Sequence, residues 1–535
     1  MQPVTAIPLA EVERQLRDAY DQYQRALKKD DSSAAMLQAA ALITFKHREF
    51  DDAMVRFRKV YDGYCNTAEA AQAGQGILAI YQIQEKLDEI QAWLEQMQKD
   101  AAAGKCRLGG DKGQMASLLD AVRFEKAKKL SEEGKYEEAA KLYIALYNES
   151  KARNAQDPAK KIDDDALWNA ALSYEKMGRP KKATQIYEQL VNEVPDSDHV
   201  GDALFRMALS YKAAFDYGKA VSNFLLLAEN DRFKKYEFRN DALFNAAQLV
   251  EQDQQYKRSA DLFQKYAAAV KVSKPTDSAS AFYHSAEIYE KAGDIDTMIK
   301  TLRQFMKDYG SGQGAGTNMV YAHYKIAKAH EKKNDKKSAL AEYKLARDEF
   351  WKRGLETATP VANVAAESAF ILAEDAFVVY KNNKFKWSNI NDEKKINADL
   401  DRLEKDGKDI AKQYQDIDKF VTPFVLAVDV RLGDISFEQG EKLYNTPIPS
   451  EIVKLDKKNP DLGVIGLYQE KLEAMVKPFR DAARKQWEAA VQKGQAKGIQ
   501  NEWTELARKR LHDLDPETWP TQKPPKTEIQ VEEVR

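Results

Sequence analysis

The sequence predicts an all-α solenoid of stacked antiparallel helix pairs with a helical C-terminal extension. Three observations predict it. A motif of small and aromatic residues returns eight times in one phase. Each copy reads as a helix, a short turn and a second helix. The 535 residues are 43% apolar with only two Cys, enough for a packed core and too few thiols for a disulfide scaffold.

Residues 1–32 read as an N-terminal helix, from Glu11 to Lys29. The repeats occupy 33–353. The clearest copy joins Leu167-Trp-Asn-Ala-Ala171-Leu-Ser-Tyr174 to Gly178-Arg-Pro-Lys-Lys-Ala183-Thr-Gln-Ile-Tyr187-Glu-Gln-Leu190. Ala171 and Ala183 stand where two helices must approach closely, and Tyr174, Tyr187 and Leu190 fill the space around them. The position of Ala183 is taken elsewhere by Ala53, Ile90, Ala139, Ala220, Ser259, Met298 and Ala339. Successive spacings from 53 to 339 are 37, 49, 44, 37, 39, 39 and 41 residues. A helix pair of this kind cannot bury its apolar face alone, so neighbours stack on a shared core.

Residues 354–514 read as a degenerate helical extension and cap. Its helices are expected at Val361 to Tyr380, Ile396 to Tyr414, Val421 to Tyr444 with Pro423 in the first turn, Leu467 to Lys493, and Asn501 to Leu514. Two Pro-containing stretches, Asn445 to Pro449 and Lys457 to Pro460, mark a loop. Residues 515–535, with Pro516, Pro520, Pro524 and Pro525 in a polar run, read as a disordered tail.

The repeat pattern resembles the tetratricopeptide repeat family. Val194-Pro195-Asp-Ser-Asp-His-Val-Gly-Asp202-Ala-Leu-Phe-Arg-Met-Ala-Leu-Ser-Tyr211 is similar to one Gram-negative envelope subgroup, the outer-membrane assembly lipoproteins and the Tol-associated periplasmic coordinator. Asp165-Ala-Leu-Trp and Asp241-Ala-Leu-Phe repeat its opening. The spacings exceed the usual repeat of about 34 residues, and the lipid-attachment Cys of that subgroup has no counterpart here. The resemblance implies a right-handed solenoid whose concave wall is lined mostly by first helices. It also implies a non-catalytic scaffold binding segments or helices of other proteins, in a complex for envelope assembly, secretion, wall coordination or motility.

Two columns of the first helices lie at or near that wall in the resembled fold. One holds Trp168, Phe205, Phe244, Tyr283 and Tyr324; the next holds Asn169, Arg206, Asn245, His284 and Lys325. Rings offer apolar area at low entropy cost, amides pair with peptide backbone, and cations pair with carboxylates. Packing between repeats competes with partner contact as the role of the rings. Asn169 and Asn245 are the stronger candidates for direct contact.

No chemistry stands out. The charge balance, 83 basic against 85 acidic residues, argues against a protein built mainly to hold nucleic acid or an anionic membrane, and leaves room for local basic patches. The six His form no His-Glu-x-x-His motif, there is no Cys-x-x-Cys and no Gly-x-Ser-x-Gly, and the glycines of 310–316 follow a helix rather than a strand. No enzyme activity, cofactor or metal is expected. Cys65 and Cys106 read as two unrelated thiols, with one disulfide as the alternative.

No apolar run is long enough to span a membrane. The first nine residues lack the features of a secretory signal, so the periplasmic location that the resemblance implies requires a signal upstream of Met1. A cytoplasmic adaptor that reads peptide tails is the alternative, and a glycan- or wall-binding protein a third.

Overall fold

The computed structural model describes residues 5–26, 31–106, 112–157, 163–312, 315–420 and 424–520. Twenty-three α-helices and no strand occur among them. The chain divides into two compact units, residues 1–249 and 250–535.

The first unit opens with α1 (Glu11–Ala26). Five hairpins follow: α2 (Asp31–Lys46) with α3 (Phe50–Gly63), α4 (Ala68–Ile83) with α5 (Leu87–Ala102), α6 (Lys112–Glu132) with α7 (Tyr136–Gln156), α8 (Asp164–Lys176) with α9 (Pro180–Glu193), and α10 (Val200–Ala213) with α11 (Tyr217–Glu229). Helix α12 (Arg239–Gln252) carries the boundary. In the second unit α13 (Tyr256–Val270) precedes the hairpins α14 (Pro275–Lys291) with α15 (Ile295–Tyr309) and α16 (Asn318–Lys332) with α17 (Lys336–Lys352).

One turn geometry recurs in every pair. The residue five places before each small residue has positive φ: Arg48, Glu85, Gly134, Gly178, Phe215, Gln254, Gly293 and Asn334. This left-handed residue reverses the chain so that the second helix folds back on the first. In three turns the next residue is an Asp that caps the second helix: Asp216, Asp294 and Asp335 accept from the backbone N–H of Lys219, Thr297 and Ser338 at 3.1–3.2 Å. The small residues are buried where the helices cross, Ala171 at 0% and Ala183 at 2% exposure.

Beyond α17 come α18 (Pro360–Asn382), α19 (Glu393–Gln415), α20 (Val425–Tyr444), α21 (Ser450–Lys458), α22 (Val464–Ala496) and α23 (Glu502–Leu514). Helix α20 packs along α22 so closely that Trp487 is buried over Gly433, its indole donating to the Val430 carbonyl at 3.2 Å.

Three expectations change. Residues 450–458, read as loop, form α21, because Pro449 precedes the helix and Pro460 follows it, so neither interrupts it. Cys65 and Cys106 are joined as a disulfide, with Cα atoms 4.6 Å apart, tying the end of α3 to the end of α5. The tail does not begin at 515: Trp519 packs on the Trp487 cluster, its carbonyl 2.8 Å from His512 Nδ1. The remainder of the tail from 521, the expected helix start at 421–423 and the helix end at 27–29 lie outside the described residues.

Candidate protein-interaction face

Each residue of the two sequence columns lies on a first helix: Trp168 and Asn169 on α8, Phe205 and Arg206 on α10, Phe244 and Asn245 on α12, Tyr283 and His284 on α14, Tyr324 and Lys325 on α16.

The rings are structural before they are anything else. Trp168 lies 5.3 Å from Tyr187, Phe205 5.7 Å from Phe224, and Tyr324 5.9 Å from Tyr343, each partner nineteen residues later on the second helix. Tyr283 meets Phe305 at 5.4 Å. Phe124 and Tyr143, at 5.1 Å, repeat the nineteen-residue relation in a copy the sequence columns omitted. Tyr283 is buried, whereas Trp168, Phe205, Phe244 and Tyr324 are half-buried. Burial pushes the phenols of Tyr283 and Tyr324 above their ordinary range, with the carboxylates of Glu287 and Glu367 beside them adding to it.

Loops between repeats cover some ring faces. His199 stacks on Trp168 at 4.9 Å and reaches Asp165 with Nε2 at 2.7 Å, while the Arg206 guanidinium lies 5.6 Å from the indole centre. Phe238 stacks on Phe205 at 5.2 Å. Sequence spacing did not reveal these contacts because they join residues more than thirty apart.

The polar column forms a ladder between successive first helices. Arg206 pairs with Glu175 at 2.6 Å. Asn245 accepts from Lys212 at 3.0 Å and donates to the Asp165-equivalent carbonyl, that of Asp241, at 2.8 Å, so both ends of its amide are engaged. Asn169 donates to the Asp165 carbonyl at 2.8 Å. In the second unit Lys325 pairs with Glu290 at 2.6 Å, and Lys328 with Glu367 at 3.0 Å.

His284 sits between two carboxylates, Nε2 at 2.7 Å from Glu251 and Nδ1 at 3.3 Å from Glu287. The hydrogen bond to Glu287 raises its pKa against the cost of burial, and Glu251 adds to the rise. Glu287 is lowered in return by His284. Burial works against ionised Glu251, but hydrogen bonds from Lys291 and His284 hold it below the usual range.

Among the described residues, no group of three or more His, Cys, Asp or Glu side chains is arranged to hold a metal ion, and no helix is long and apolar enough to cross a membrane.

Residues 165–197 and 280–311 match the family model of the tetratricopeptide repeat. No curated protein matches the sequence. Among solved structures, the chain is similar to MamA (41 to the end) from Desulfovibrio magneticus RS-1, at 16% identity over 35% of this chain and 93% of that one, TM-score 0.22. It is similar to YrrB, described as a TPR protein with an unusual peptide-binding site, at 13% identity over 37% of this chain and 90% of that one, TM-score 0.23. The TPR domain of P58(IPK) aligns at 15% identity over 68% of this chain and 97% of that one, TM-score 0.19.

Proposed function

We propose, from the premise that the chain is a tetratricopeptide-repeat protein, that it is a non-catalytic scaffold whose first-helix face receives segments of partner proteins in a bacterial envelope complex. The observation that carries this reading is the surface of the first helices. Within the first unit, the half-buried rings Trp168 and Phe205 pack on their second helices beside the ion-paired Arg206; within the second, half-buried Tyr324 packs on Tyr343 beside the ion-paired Lys325. Surface ion pairs are worth about 0–1 kcal/mol each, so an arriving segment can exchange them for its own charges at small cost. The side-chain amide oxygen of Asn169 has no hydrogen-bond partner among the described residues, and the exposed Arg206 lies over the ring of the neighbouring Trp168.

The compartment belongs to the same proposal. Disulfides persist in oxidising compartments such as the periplasm and are rare in the cytosol. The Cys65–Cys106 bridge therefore favours the periplasmic reading over the cytoplasmic adaptor.

Photocrosslinking from position 169 in native cells tests the function. Crosslinks to a small set of defined envelope proteins, lost in Arg206→Glu with the melting temperature unchanged, are the expected result. Crosslinks unchanged in that variant, or arising only from positions on the second helices, would place partner binding elsewhere.

A further inference from the structure

Helix α1 meets the rest of the first unit with its polar side. Arg56 grips Asp21 bidentately at 2.6 and 2.9 Å, His47 Nε2 lies 2.9 Å from Glu13, and Gln24 donates to the Ser33 carbonyl at 2.6 Å. Glu13, Asp21 and Gln24 are half-buried by these contacts, and no residue of the helix is fully buried. The apolar residues are left in solvent. Val12 is 75% exposed and Leu16 44%, and Ala19 and Ala26 are exposed with them. A surface helix ordinarily lays its apolar stripe on the core and turns its charges to water. Here that order is reversed.

The exposed stripe has the spacing of a helix-to-helix seam. Leu9, Val12, Leu16, Ala19, Tyr23 and Ala26 follow one another at intervals of 3, 4, 3, 4 and 3 residues. Leu9 stands just ahead of the helix, and the Tyr23 hydroxyl is 3.0 Å from Ser32 Oγ. Strict alternation of three and four is the 3.5-residue repeat that keeps one helix face against another. The larger side chains, Leu9, Leu16 and Tyr23, hold one set of positions; the smaller, Val12, Ala19 and Ala26, hold the other.

The order of sizes decides which helix fits. Two α1 helices running antiparallel about a point between Arg17 and Asp18 set Leu16 against Ala19 of the second copy, Tyr23 against Val12, and Leu9 against Ala26. Every layer then joins a larger side chain to a smaller one, as close packing requires. A parallel pair would set Leu16 on Leu16 and Ala19 on Ala19, crowding one layer and leaving a gap in the next. The charges agree with the sizes. Glu11 and Glu13 open the helix and Arg25 closes it. An antiparallel pair brings each acidic start beside a basic end and opposes the two helix dipoles. The exposed Gln15 and Gln22, which flank the stripe, are uncharged and set no like charges against each other.

From this geometry we infer that α1 is a self-association helix, through which two copies of the chain pair by antiparallel α1 contacts about a twofold axis. A twofold contact uses the same patch on both copies and so must be self-complementary, as this stripe is. The 16-residue helix is about 24 Å long, so this contact alone is smaller than a permanent interface. The pairing is therefore weak and concentration-dependent. Pairing presents two partner-binding faces on one particle, so a partner with two copies of a segment is held by both.

Sedimentation equilibrium of the full chain, from low micromolar to several hundred micromolar, reads the association. The wild type is expected to move from monomer toward dimer and no further. Leu16→Glu should weaken dimerisation about 10-fold or more with the melting temperature unchanged. Leu16→Ala and Ala19→Leu should each weaken it, and the two together should restore it, a recovery that misfolding cannot produce. Oxidation of single cysteines reads the direction, since the native pair is already bridged. Mixed Val12→Cys and Tyr23→Cys chains should crosslink to each other, and Val12→Cys chains alone should not. A monomer at every concentration, a dimer unchanged by Leu16→Glu, no recovery in the double variant, or crosslinking of Val12→Cys alone in place of the mixed pair would overturn the assignment. Crosslinks from position 169 test the scaffold reading separately, so either inference can fail while the other stands.

Discussion

Phe215 and Gly178 occupy the same left-handed turn position, each five residues ahead of the small residue of its second helix, Ala220 and Ala183. Gly adopts this conformation freely, whereas an L side chain meets the following carbonyl at a cost of about 1 kcal/mol. Phe215 bears that cost with its ring 78% exposed. Phe215→Gly is therefore expected to stabilise the α10–α11 hairpin by about 0.5–1 kcal/mol, read as slower hydrogen exchange there, and Gly178→Val to destabilise its hairpin by at least as much. No gain in Phe215→Gly would mean that the ring's contact with Tyr217 offsets the strain.

Trp168→Ala should cost about 2–3 kcal/mol, because the indole fills the space between Tyr187 and His199. Asn169→Ala, one residue on, should stay within about 0.5 kcal/mol. Chemical denaturation of the two variants separates packing from the polar surface. Equal and small losses would show that the ring is not part of the hairpin core.

Reducing the Cys65–Cys106 bridge should loosen α3, α4 and α5 together, since it closes a separation of 41 residues. Chain-entropy arguments give about 3–4 kcal/mol for a loop of that size. Hydrogen exchange with and without dithiothreitol, against Cys65→Ser/Cys106→Ser, reads the effect. Protection that is unchanged across all three helices would contradict it.

His284 sets a pH dependence with a definite sign. Its pKa is raised in the folded chain, so its stabilisation is present below the ordinary His value of about 6.5 and is lost as pH rises through the raised value. Glu287 is lowered, so its share is present above the ordinary Glu value of about 4.3 and is lost as pH falls through the lowered one. Protection of α14 should thus be greatest in mildly acidic solution, and His284→Gln should flatten the alkaline side. An NMR titration placing His284 at or below 6.5 would remove the premise.

Deleting residues 521–535 is expected to leave the melting temperature unchanged. Deleting 515–535 should lower it, by about 1–3 kcal/mol of stability, because Trp519 leaves the Trp487 cluster and Asp515 leaves Arg484 at 3.3 Å. Identical melting for the two truncations would show that the Trp519 contact contributes nothing.

The sequence by itself determined the helix pairs, their phase and the places where two helices cross, since Ala139, Ala183 and Ala220 recur with the turn residues that precede them. Helical periodicity and turn chemistry act over a few residues, so they can be read one segment at a time. Helix α21 escaped that reading because Pro449 and Pro460 signal a boundary equally well from outside a helix. Both site columns were legible as columns, but not what each side chain does in them. Only the tertiary structure decided that Trp168 leans on Tyr187, that Asn245 is engaged at both ends, and that Cys65 meets Cys106. Each of these joins residues nineteen or more apart or depends on three helices meeting, and such relations are set by how hairpins stack rather than by local spacing.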